Sequence, residues 1–379
     1  MNSDGHGKRI FWLSDANAAH TLRWARALSA AGYKVLVYSL AAPQSPHEWA
    51  SVDVRLETAG IDPGVAYSAD GGLRKLSYIG TLPKVKSLAR VFDPHIVHAH
   101  YVSSYGVLAT IAGLRPRVIS AWGADVYTTP SVTPLHKAAI GYVLRNANRI
   151  LSTSHTMRTK VLELVSNGNV HVVPFGIDLE RFSPVEKDGG GRRPITIGTI
   201  KSLETKYGME FLMRAFARIC AGRPQTPMRL VIVGGGALRR DLEVLSVELG
   251  IDRTTTFVGR VDNDVVHRYH QELDVAVYPS IDHSESFGVS VVESQACGIP
   301  VVVSNVGGLP EVVESGVTGL VVPPGDVRAL ALAIETLIDN TDLRNRFGEA
   351  GRRRVEQEYS LPACVRLLSE NYSAVLDGR

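Results

Sequence analysis

Short apolar runs rich in β-branched residues recur along this chain, separated by longer stretches with apolar residues at helical spacing. Such alternation predicts parallel strands joined by helices, in sheets covered on both faces. The runs in the first half are KRIFWL, KVLVYSL, HIVHAH, RVISAW, NRILSTS and NVHVVPF. After a break, the pattern restarts with PITIGTI, MRLVIVGG, TTTFVG, DVAVYPS and IPVVVSN. The sequence therefore predicts an α/β protein with two doubly wound, Rossmann-like domains.

The break is FGIDLERFSPVEKDGGGRRP, in which prolines, glycines and charges crowd together as they do in exposed linkers. We therefore expect an N-terminal domain at 1–177, a linker at 178–193 and a C-terminal domain at 194–360. The segment LPACVRLLSENYSAVL has apolar residues at helical spacing and predicts a terminal helix within 361–379. We expect that helix to pack back on the N-terminal domain.

Composition narrows the class of protein. Apolar residues make up 45% and charged residues 21%, as in soluble globular proteins, and no run approaches the ~20 apolar residues of a membrane-spanning helix. The N-terminus lacks the pattern of a signal peptide, so we expect a cytoplasmic location. Cys220, Cys297 and Cys364 lie far apart without CxxC pairing, which predicts neither disulfides nor a zinc site. We expect no metal and no nucleic acid partner.

Charge is unevenly divided between the halves. Residues 1–177 hold 18 Lys and Arg against 10 Asp and Glu, a balance of +8, and residues 178–379 hold 23 against 28, a balance of −5. Basic residues are concentrated in GGLRKLSYIGTLPKVKSLARVF, at Arg74, Lys75, Lys84, Lys86 and Arg90. A basic amphipathic surface suits peripheral contact with an anionic membrane or a lipid-linked phosphate acceptor, and the alternative is a solvated face without a partner.

The segment 278–313, YPSIDHSESFGVSVVESQACGIPVVVSNVGGLPEVV, begins at the end of a predicted strand, where open parallel sheets bind ligands. There a loop leads into a helix, whose N–H groups and positive end favour a diphosphate. The residues of that turn are Ser286, Phe287, Gly288 and Val289. Glu285 and Glu293 flank it, and a carboxylate can accept hydrogen bonds from two vicinal hydroxyls, of a sugar or a ribose. Alternatively, Glu285 caps the helix and Glu293 is solvated.

A second strand, loop and helix, IGTIKSLETKYGMEFLMRAF, contains Lys201 and Lys206 in one loop. Departure of a nucleotide from its sugar builds charge on a diphosphate, which two cations can neutralise without a metal. The alternative is a pair of exposed lysines. Gly234, in VIVGGGALRRDLE, belongs to a glycine-rich turn that is only a weak signal for NAD binding.

The segment 278–313 resembles the donor-binding signature of the retaining family 4 glycosyltransferases of GT-B fold, with two glutamates followed by ACGIPVV and VGGLPEVV. The resemblance extends over nearly all of residues 171–360. It implies two Rossmann-like domains facing across a cleft, with Glu285 beside the donor sugar and Glu293 on the ribose. Lys201 replaces the usual arginine, which implies a weaker grip on phosphate. Donor-side residues also include Gly234, and the residues that correspond to the family's base pocket are Val258, Gly259, Arg260 and Val261.

In the resembling family, the N-terminal domain binds the acceptor. Polar residues that follow the first strand suit that role: Asp15, Asn17 and His20. His100, at the end of HIVHAH, lies nearer the ligand edge than His98. Many relatives have a His-Gly pair where this chain has Trp122 and Gly123, and tryptophan cannot transfer a proton at neutral pH. Asp125 is then the nearest polar candidate for catalysis, and Trp122 either stacks on the acceptor or packs in the core.

Together these features predict a metal-independent glycosyltransferase that moves a sugar from a UDP- or GDP-sugar to an acceptor hydroxyl in glycan, glycolipid or polysaccharide synthesis. The resemblance implies retention of configuration and a departing phosphate that takes the acceptor proton. The donor is a substrate, and no cofactor is expected. Two alternatives stay open, a non-catalytic nucleotide-sugar-binding subunit of a membrane complex, which Trp122 favours, and a nucleotide-sugar epimerase of the same fold.

Overall fold

The computed structural model describes residues 7–66, 77–166, 169–186 and 193–378. The chain divides into two compact units. One comprises Met1–Gly176 together with Leu361–Arg379, and the other comprises Ile177–Ser360. Each unit is built around its own parallel sheet, as the two series of apolar runs predict.

Within its described residues, the first unit has a seven-stranded sheet in the order β3-β2-β1-β4-β5-β6-β7, with every neighbouring pair parallel. The strands are β1 Arg9–Leu13, β2 Lys34–Ser39, β3 Arg55–Thr58, β4 Ile96–His100, β5 Arg117–Ser120, β6 Arg149–Ser152 and β7 Val170–Val172. The central strand β4 is buried along its whole length because helices cover both faces of the sheet.

The helices of the first unit are α1 Ala19–Ala30, α2 Pro46–Ala50, α3 Pro63–Ala66, α4 Ser77–Gly80, α5 Leu82–Phe92, α6 Val107–Ile111, α7 Ala124–Tyr127, α8 Thr129–Val132, α9 Pro134–Arg145 and α10 His155–Leu164. A π-helical turn, Tyr101–Gly106, joins β4 to α6. Helix α1 buries Thr21, Trp24, Ala25 and Leu28, one face at the i, i+3, i+4, i+7 spacing.

The second unit has, in its described residues, a six-stranded parallel sheet in the order β10-β9-β8-β11-β12-β13. Its strands are β8 Ile195–Ile200, β9 Met228–Val233, β10 Thr255–Gly259, β11 Val275–Tyr278, β12 Val301–Ser304 and β13 Gly319–Val322. Its helices are α11 Met209–Gly222, α12 Arg239–Glu248, α13 Val266–Glu272, α14 Val289–Ala296, α15 Leu309–Val312, α16 Val327–Asp339 and α17 Thr341–Arg354. Helix α18, Leu361–Leu376, belongs to the first unit, where the Tyr372 hydroxyl accepts a hydrogen bond from Trp12 Nε1 at 3.0 Å.

Two strands escaped the sequence pattern. Strand β3 reads RLET, without an apolar run, because it lies at the edge of its sheet and is only half-buried. Strand β13 reads GLVV, which is short and follows a turn. The segment expected to be an exposed linker, 178–193, begins inside the second unit, where Phe182 is fully buried, because its ring packs against His267 and His270.

Candidate active site

In each sheet, the strand order changes direction between two neighbouring strands. The loops that follow these strands contain most of the predicted site residues. In the second unit these strands are β8 and β11, and in the first unit they are β1 and β4. Loops at the carboxyl ends of such strands diverge and leave a crevice in which doubly wound sheets bind ligands. Lys201 directly follows β8, and the loop that contains Glu285 follows β11. Sheet topology thus brings together two segments that are far apart in sequence.

Lys201 and Glu285 form an ion pair at this crevice. Lys201 Nζ lies 2.7 Å from Glu285 Oε1, and the two side chains are 19% and 8% exposed. Ser280 Oγ donates a second hydrogen bond to the same carboxylate oxygen at 3.3 Å. Glu285 therefore faces Lys201 instead of capping α14, and that alternative interpretation is wrong. A half-buried ion pair at the crevice presents both a cation and a hydrogen-bond acceptor to a ligand.

Tyr207, which the sequence analysis missed, connects the two lysines. Its ring centroid is 4.4 Å from Lys201 Nζ and 4.8 Å from Lys206 Nζ, within the range of cation–π attraction. Burial lowers the pKa of Lys206, but Tyr207 and Glu204, whose Oε2 is 3.4 Å from Nζ, raise it overall. Lys206 thus keeps its charge, and both ammonium groups lie on one aromatic surface. The sequence could not predict this role of Tyr207, because the local pattern KYG does not show which way its ring points.

Close backbone approaches explain why glycines recur in this unit. A Cβ on Gly234 would lie 1.9 Å from the Lys201 carbonyl oxygen, and a Cβ on Gly307 would lie 2.2 Å from the Glu285 carbonyl oxygen. Both residues also have positive φ, at 141° and 52°, which favours glycine. Gly308 N–H donates to the Glu285 carbonyl at 2.7 Å. The glycines of VIVGGG and VGGLPEVV therefore hold the Lys201 and Glu285 loops in place.

Helix α14 begins directly after Gly288, whose φ is 94°. Of the turn residues that precede it, Phe287 is buried with its ring 5.5 Å from that of Tyr359, whereas Ser286 and Val289 are half-buried. The Phe287 side chain therefore fixes the turn to the core. The backbone N–H groups of this turn are suited to an anion.

Glu293 lies on the buried side of α14 and is 7% exposed, so the interpretation as a solvated residue is wrong. Its Oε2 is 3.6 Å from Nε2 of His270, which is fully buried on α13. His270 Nδ1 in turn shares a hydrogen bond of 2.8 Å with Ser294 Oγ, which Tyr278 also contacts. A buried polar chain therefore orients the carboxylate. Nothing in the sequence predicted a role for His270.

The predicted base-pocket residues form the end of β10 and the two positions after it, next to the glycine-rich turn. Gly234 N–H donates to the Gly259 carbonyl at 2.9 Å, so the ends of β9 and β10 are adjacent. Val258, Gly259 and Val261 are half-buried, and Arg260 is exposed. A Cβ on Gly235 would lie 3.5 Å from Arg260 Cβ. These residues line a different strand end from the Lys201 and Glu285 pair.

In the first unit, an aromatic cluster occupies the carboxyl end of the sheet. The Trp122 ring stacks on His100 at 4.5 Å and 29°, and His20 stacks on Phe175 at 4.1 Å and 21°. The Trp122 and Phe175 ring centroids are 5.5 Å apart. Trp122 is half-buried, so one part packs in the cluster and another faces solvent. Packing and stacking on a ligand are thus both available to this residue.

The two histidines of β4 are poor proton donors. Burial lowers the pKa of His98 to about 3, and burial together with the charges of His98 and His20 lowers the pKa of His100 well below its ordinary value. His100 Nδ1 shares a hydrogen bond of 2.8 Å with Ser14 Oγ, and His98 is bonded to Ser120 and Tyr372. His100 is 4% exposed. Both side chains are therefore neutral packing residues in this structure.

Asp125 does not fit the catalytic role expected of it. It is fully buried, and it accepts hydrogen bonds from the N–H groups of Val102, Trp122 and Gly123 at 2.8 to 3.2 Å. Burial raises its pKa, and these backbone hydrogen bonds act against that rise. The carboxylate holds the loop after β5, because those buried N–H groups require an acceptor. Its role is structural.

Asp15 and Asn17 also have local structural contacts. Asn17 N–H donates to Asp15 Oδ1 at 3.0 Å, and the Asn17 side chain bonds the backbone of Ala42 and Gln44. These bonds hold the loops that follow β1 and β2 together. In the predicted basic segment, Arg74 and Lys75 lie outside the described residues. Lys84 Nζ donates to the Thr58 carbonyl at 2.7 Å, and Lys86 and Arg90 are exposed on α5.

None of the helices in the described residues combines the length and apolar character needed to cross a membrane. Across those same residues, no three His, Cys, Asp or Glu side chains are grouped as metal ligands.

Both halves of the chain match family models of glycosyl transferases. Residues 186–354 match the family model of glycosyl transferases group 1, and residues 9–154 match that of glycosyl transferase 4-like proteins. Glycogen synthase of Mycobacterium tuberculosis is 26% identical, over 95% of this chain and 91% of its own. A GDP-mannose-dependent α-(1-6)-phosphatidylinositol monomannoside mannosyltransferase of Mycolicibacterium smegmatis is 29% identical, over 65% and 67%.

Among solved structures, sucrose-phosphate synthase of Thermosynechococcus elongatus is similar with a TM-score of 0.81 and 22% identity, covering 98% of this chain and all of the other. HepE of Anabaena, solved with UDP and glucose, has a TM-score of 0.78 and 19% identity, covering 97% of this chain and all of the other. At these identities the likeness concerns the fold.

Proposed function

Because the chain belongs to the family 4 glycosyltransferases of GT-B fold, we propose that it transfers a sugar from a UDP- or GDP-linked donor to an acceptor hydroxyl, with retention of configuration and without a metal or other cofactor. One observation carries the proposal. The carboxyl ends of β8 and β11 gather Lys201, Lys206 and Glu285 beside the turn that starts α14.

The lysines would act on the leaving group. When the bond between the anomeric carbon and the diphosphate oxygen breaks, negative charge grows on the diphosphate. Ammonium groups that are already in position stabilise that charge more in the transition state than in the ground state. Tyr207 holds both ammoniums on its ring, which reduces the rearrangement needed when the charge develops.

The carboxylates would orient the donor. Glu285, held by Lys201 and Ser280, accepts hydrogen bonds from sugar hydroxyls, and Glu293 accepts them from the ribose. The departing phosphate takes the proton of the acceptor hydroxyl. Two features of the first unit agree with this assignment. The Asp125 carboxylate is already hydrogen-bonded to backbone N–H groups, and the histidines of β4 are buried and neutral.

The proposal includes both uracil and guanine as the base of the donor nucleotide. The Mycolicibacterium relative uses GDP-mannose by name, and HepE was solved with UDP. The same relative acts on a phosphatidylinositol glycolipid by name, which supports a lipid-linked acceptor for this chain as well.

Radiolabelled UDP- and GDP-sugars, incubated with the protein with and without candidate acceptors, test the activity. We expect labelled product from one donor class, no loss of rate in EDTA, and an anomeric configuration by NMR that matches the donor. Inversion would refute retention, and a rate lost in EDTA and restored by Mg²⁺ or Mn²⁺ would refute metal independence.

The same assay separates two other functions. The first is a non-catalytic nucleotide-sugar-binding subunit, which is favoured because Trp122 cannot transfer a proton and Asp125 is held by backbone hydrogen bonds. Such a subunit would bind a donor but neither transfer nor hydrolyse it. An epimerase would release a changed sugar in the absence of any acceptor.

A further inference from the structure

A buried histidine lies next to the carboxyl group that is proposed to bind the ribose. His270 is on α13, and its Nε2 lies 3.6 Å from Oε2 of Glu293 on α14. The Glu293 side chain is 9% exposed, so a ligand can reach it, whereas the His270 side chain is 0% exposed. His270 can therefore affect a bound nucleotide only through its neighbours.

A chain of hydrogen bonds fixes the orientation of the His270 ring. The Tyr278 hydroxyl donates its only proton to the Ser290 carbonyl at 2.8 Å, so it accepts the hydrogen bond of 2.8 Å that it shares with Ser294 Oγ. Ser294 thereby uses its only proton on Tyr278, and its Oγ must accept from His270 Nδ1 at 2.8 Å. Nδ1 is therefore a donor, and the ring cannot turn without breaking this chain.

The same order of protons determines what Nε2 does. Among the described residues, Nε2 has no hydrogen-bond partner, and the oxygen that faces it at ion-pair distance is Glu293 Oε2. A deprotonated Nε2 would present a lone pair to that oxygen, so the contact is attractive only with a proton between the two atoms, on the imidazole or on the carboxyl group. In both cases His270 draws Oε2 toward α13 and limits the orientations of the carboxyl group.

Packing gives no separate reason for an imidazole at this position. The His270 ring meets the buried ring of Phe182 edge-on at 5.6 Å, and His267 of the same helix meets that ring at 6.3 Å. A phenylalanine at 270 would fill the same space without burying two nitrogen atoms, which is costly unless they find partners. The polar contacts of His270, with Ser294 on one side and Glu293 on the other, are what distinguish it from such a filler.

We propose that His270 is a positioning residue for nucleotide recognition. By holding Oε2, it fixes the Glu293 carboxyl group in the orientation that accepts hydrogen bonds from the ribose hydroxyls, and so sets the preference for a ribonucleotide over a nucleotide that lacks them. This role rests on the proposed function, in which Glu293 binds the ribose. A carboxyl group that is already held in place loses less conformational freedom when the ligand binds.

Calorimetry with two forms of one nucleotide tests the proposal. UDP and GDP are each compared with their 2′,3′-dideoxy forms, which lack both ribose hydroxyls, and the base that binds more tightly is used. The dissociation constant of the dideoxy form divided by that of the ribonucleotide is what we call the ribose ratio. His270→Phe removes the ring nitrogens, His270→Gln keeps an amide N–H, and Glu293→Ala removes the carboxyl group. The matched control, His267→Phe, makes the same substitution on the same helix and against the same Phe182 ring.

We expect a ribose ratio of about ten or more in the wild type, as hydrogen bonds to a carboxylate provide. His270→Phe should lower the ratio about three- to tenfold, the value of one hydrogen bond, while the dideoxy nucleotide binds as in the wild type. His270→Gln should recover part of the ratio, and His267→Phe should keep all of it. In the Glu293→Ala background, His270→Phe should change the ratio no further, because its effect passes through the carboxyl group.

Circular dichroism checks that each variant is folded. Ser294→Ala, which removes the hydroxyl that holds Nδ1, tests the same chain without changing His270 and should also lower the ribose ratio.

An unchanged ratio in both His270→Phe and Ser294→Ala would refute the positioning role, and so would an equal fall in His267→Phe. Weaker binding of both nucleotides at a constant ratio would assign His270 to folding alone. A further fall of the ratio in the Glu293→Ala background would show that His270 does not act through Glu293. If the wild type has no ribose ratio, or if Glu293→Ala keeps it, the ribose contact of the proposed function is itself wrong, and the role of His270 is refuted with it.

Discussion

Replacing Lys201 by methionine removes the cation that lies 2.7 Å from Glu285 Oε1 and keeps a side chain of similar length. At that distance and an effective dielectric constant of about 20, the gross attraction is about 6 kcal/mol. Desolvation of both groups offsets part of it. Breaking a buried pair from one side leaves the other charge without compensation, at a cost of about 3 to 5 kcal/mol. Because Lys201 is 19% exposed, we expect the lower value, about 3 kcal/mol.

The double variant Lys201→Met with Glu285→Gln separates stability from catalysis. It removes both charges, and the glutamine can still accept the hydrogen bond from Ser280. We expect it to regain all but about 1 kcal/mol of the lost stability, because neither charge of this pair is left without its partner. Its turnover should nevertheless be low, since one of the two cations for the leaving group is missing.

The position of the tryptophans allows a clean assay. All four, Trp12, Trp24, Trp49 and Trp122, belong to the first unit, so tryptophan emission in urea reports that unit alone. Circular dichroism reports both units. We expect Lys201→Met to move the circular dichroism transition to lower urea. Unchanged stability of the single variant would refute the ion-pair argument, and so would a double variant as unstable as the sum of the two single changes. A double variant with normal turnover would refute the catalytic role.

Three further predictions follow from other contacts. Lys206→Ala should raise the barrier to transfer by about 3 kcal/mol, as loss of one preorganised donor does, while Arg214→Ala, exposed on α11, should leave the rate unchanged; a normal rate for Lys206→Ala would exclude its role. Glu293→Ala should weaken UDP or GDP binding in calorimetry, and equal affinity would contradict the ribose contact. Acid should destabilise the first unit: His98 has a pKa of about 3 when folded and about 6.5 when unfolded, so its contribution is complete above pH 6.5 and falls as the pH drops toward 3. About 2 kcal/mol should be lost by pH 5 through His98, and His100, whose pKa is also lowered, adds to that loss. Tryptophan emission in urea measures the loss; His98→Gln should make the dependence shallower without abolishing it, and an equally steep dependence in the variant would show that His98 does not contribute.

Apolar runs were sufficient to predict the central strands of both sheets, because a strand buried on both faces must be apolar along its length. Of the four edge strands that the structure describes, β7 and β10 contain apolar runs and were predicted, whereas β3 and β13 were missed. Strand β3, RLET, is half-buried and alternates in polarity too weakly to be seen, and β13 is a four-residue strand after a turn. The linker was predicted from its composition alone, and composition could not reveal that Phe182 packs into the second unit.

What the sequence determined by itself was the periodicity of the elements and the identity of the charged and glycine residues in loops after strands. Lys201, Lys206, Glu285 and Glu293 were identified in this way, because parallel strands expose their carboxyl ends at one edge of a sheet. Only the tertiary structure decided which of these side chains meet. Strand order set β8 beside β11 and so paired Lys201 with Glu285, and it buried Asp125 among backbone N–H groups that needed an acceptor. Burial and direction of a side chain depend on packing between distant segments, which local spacing does not encode.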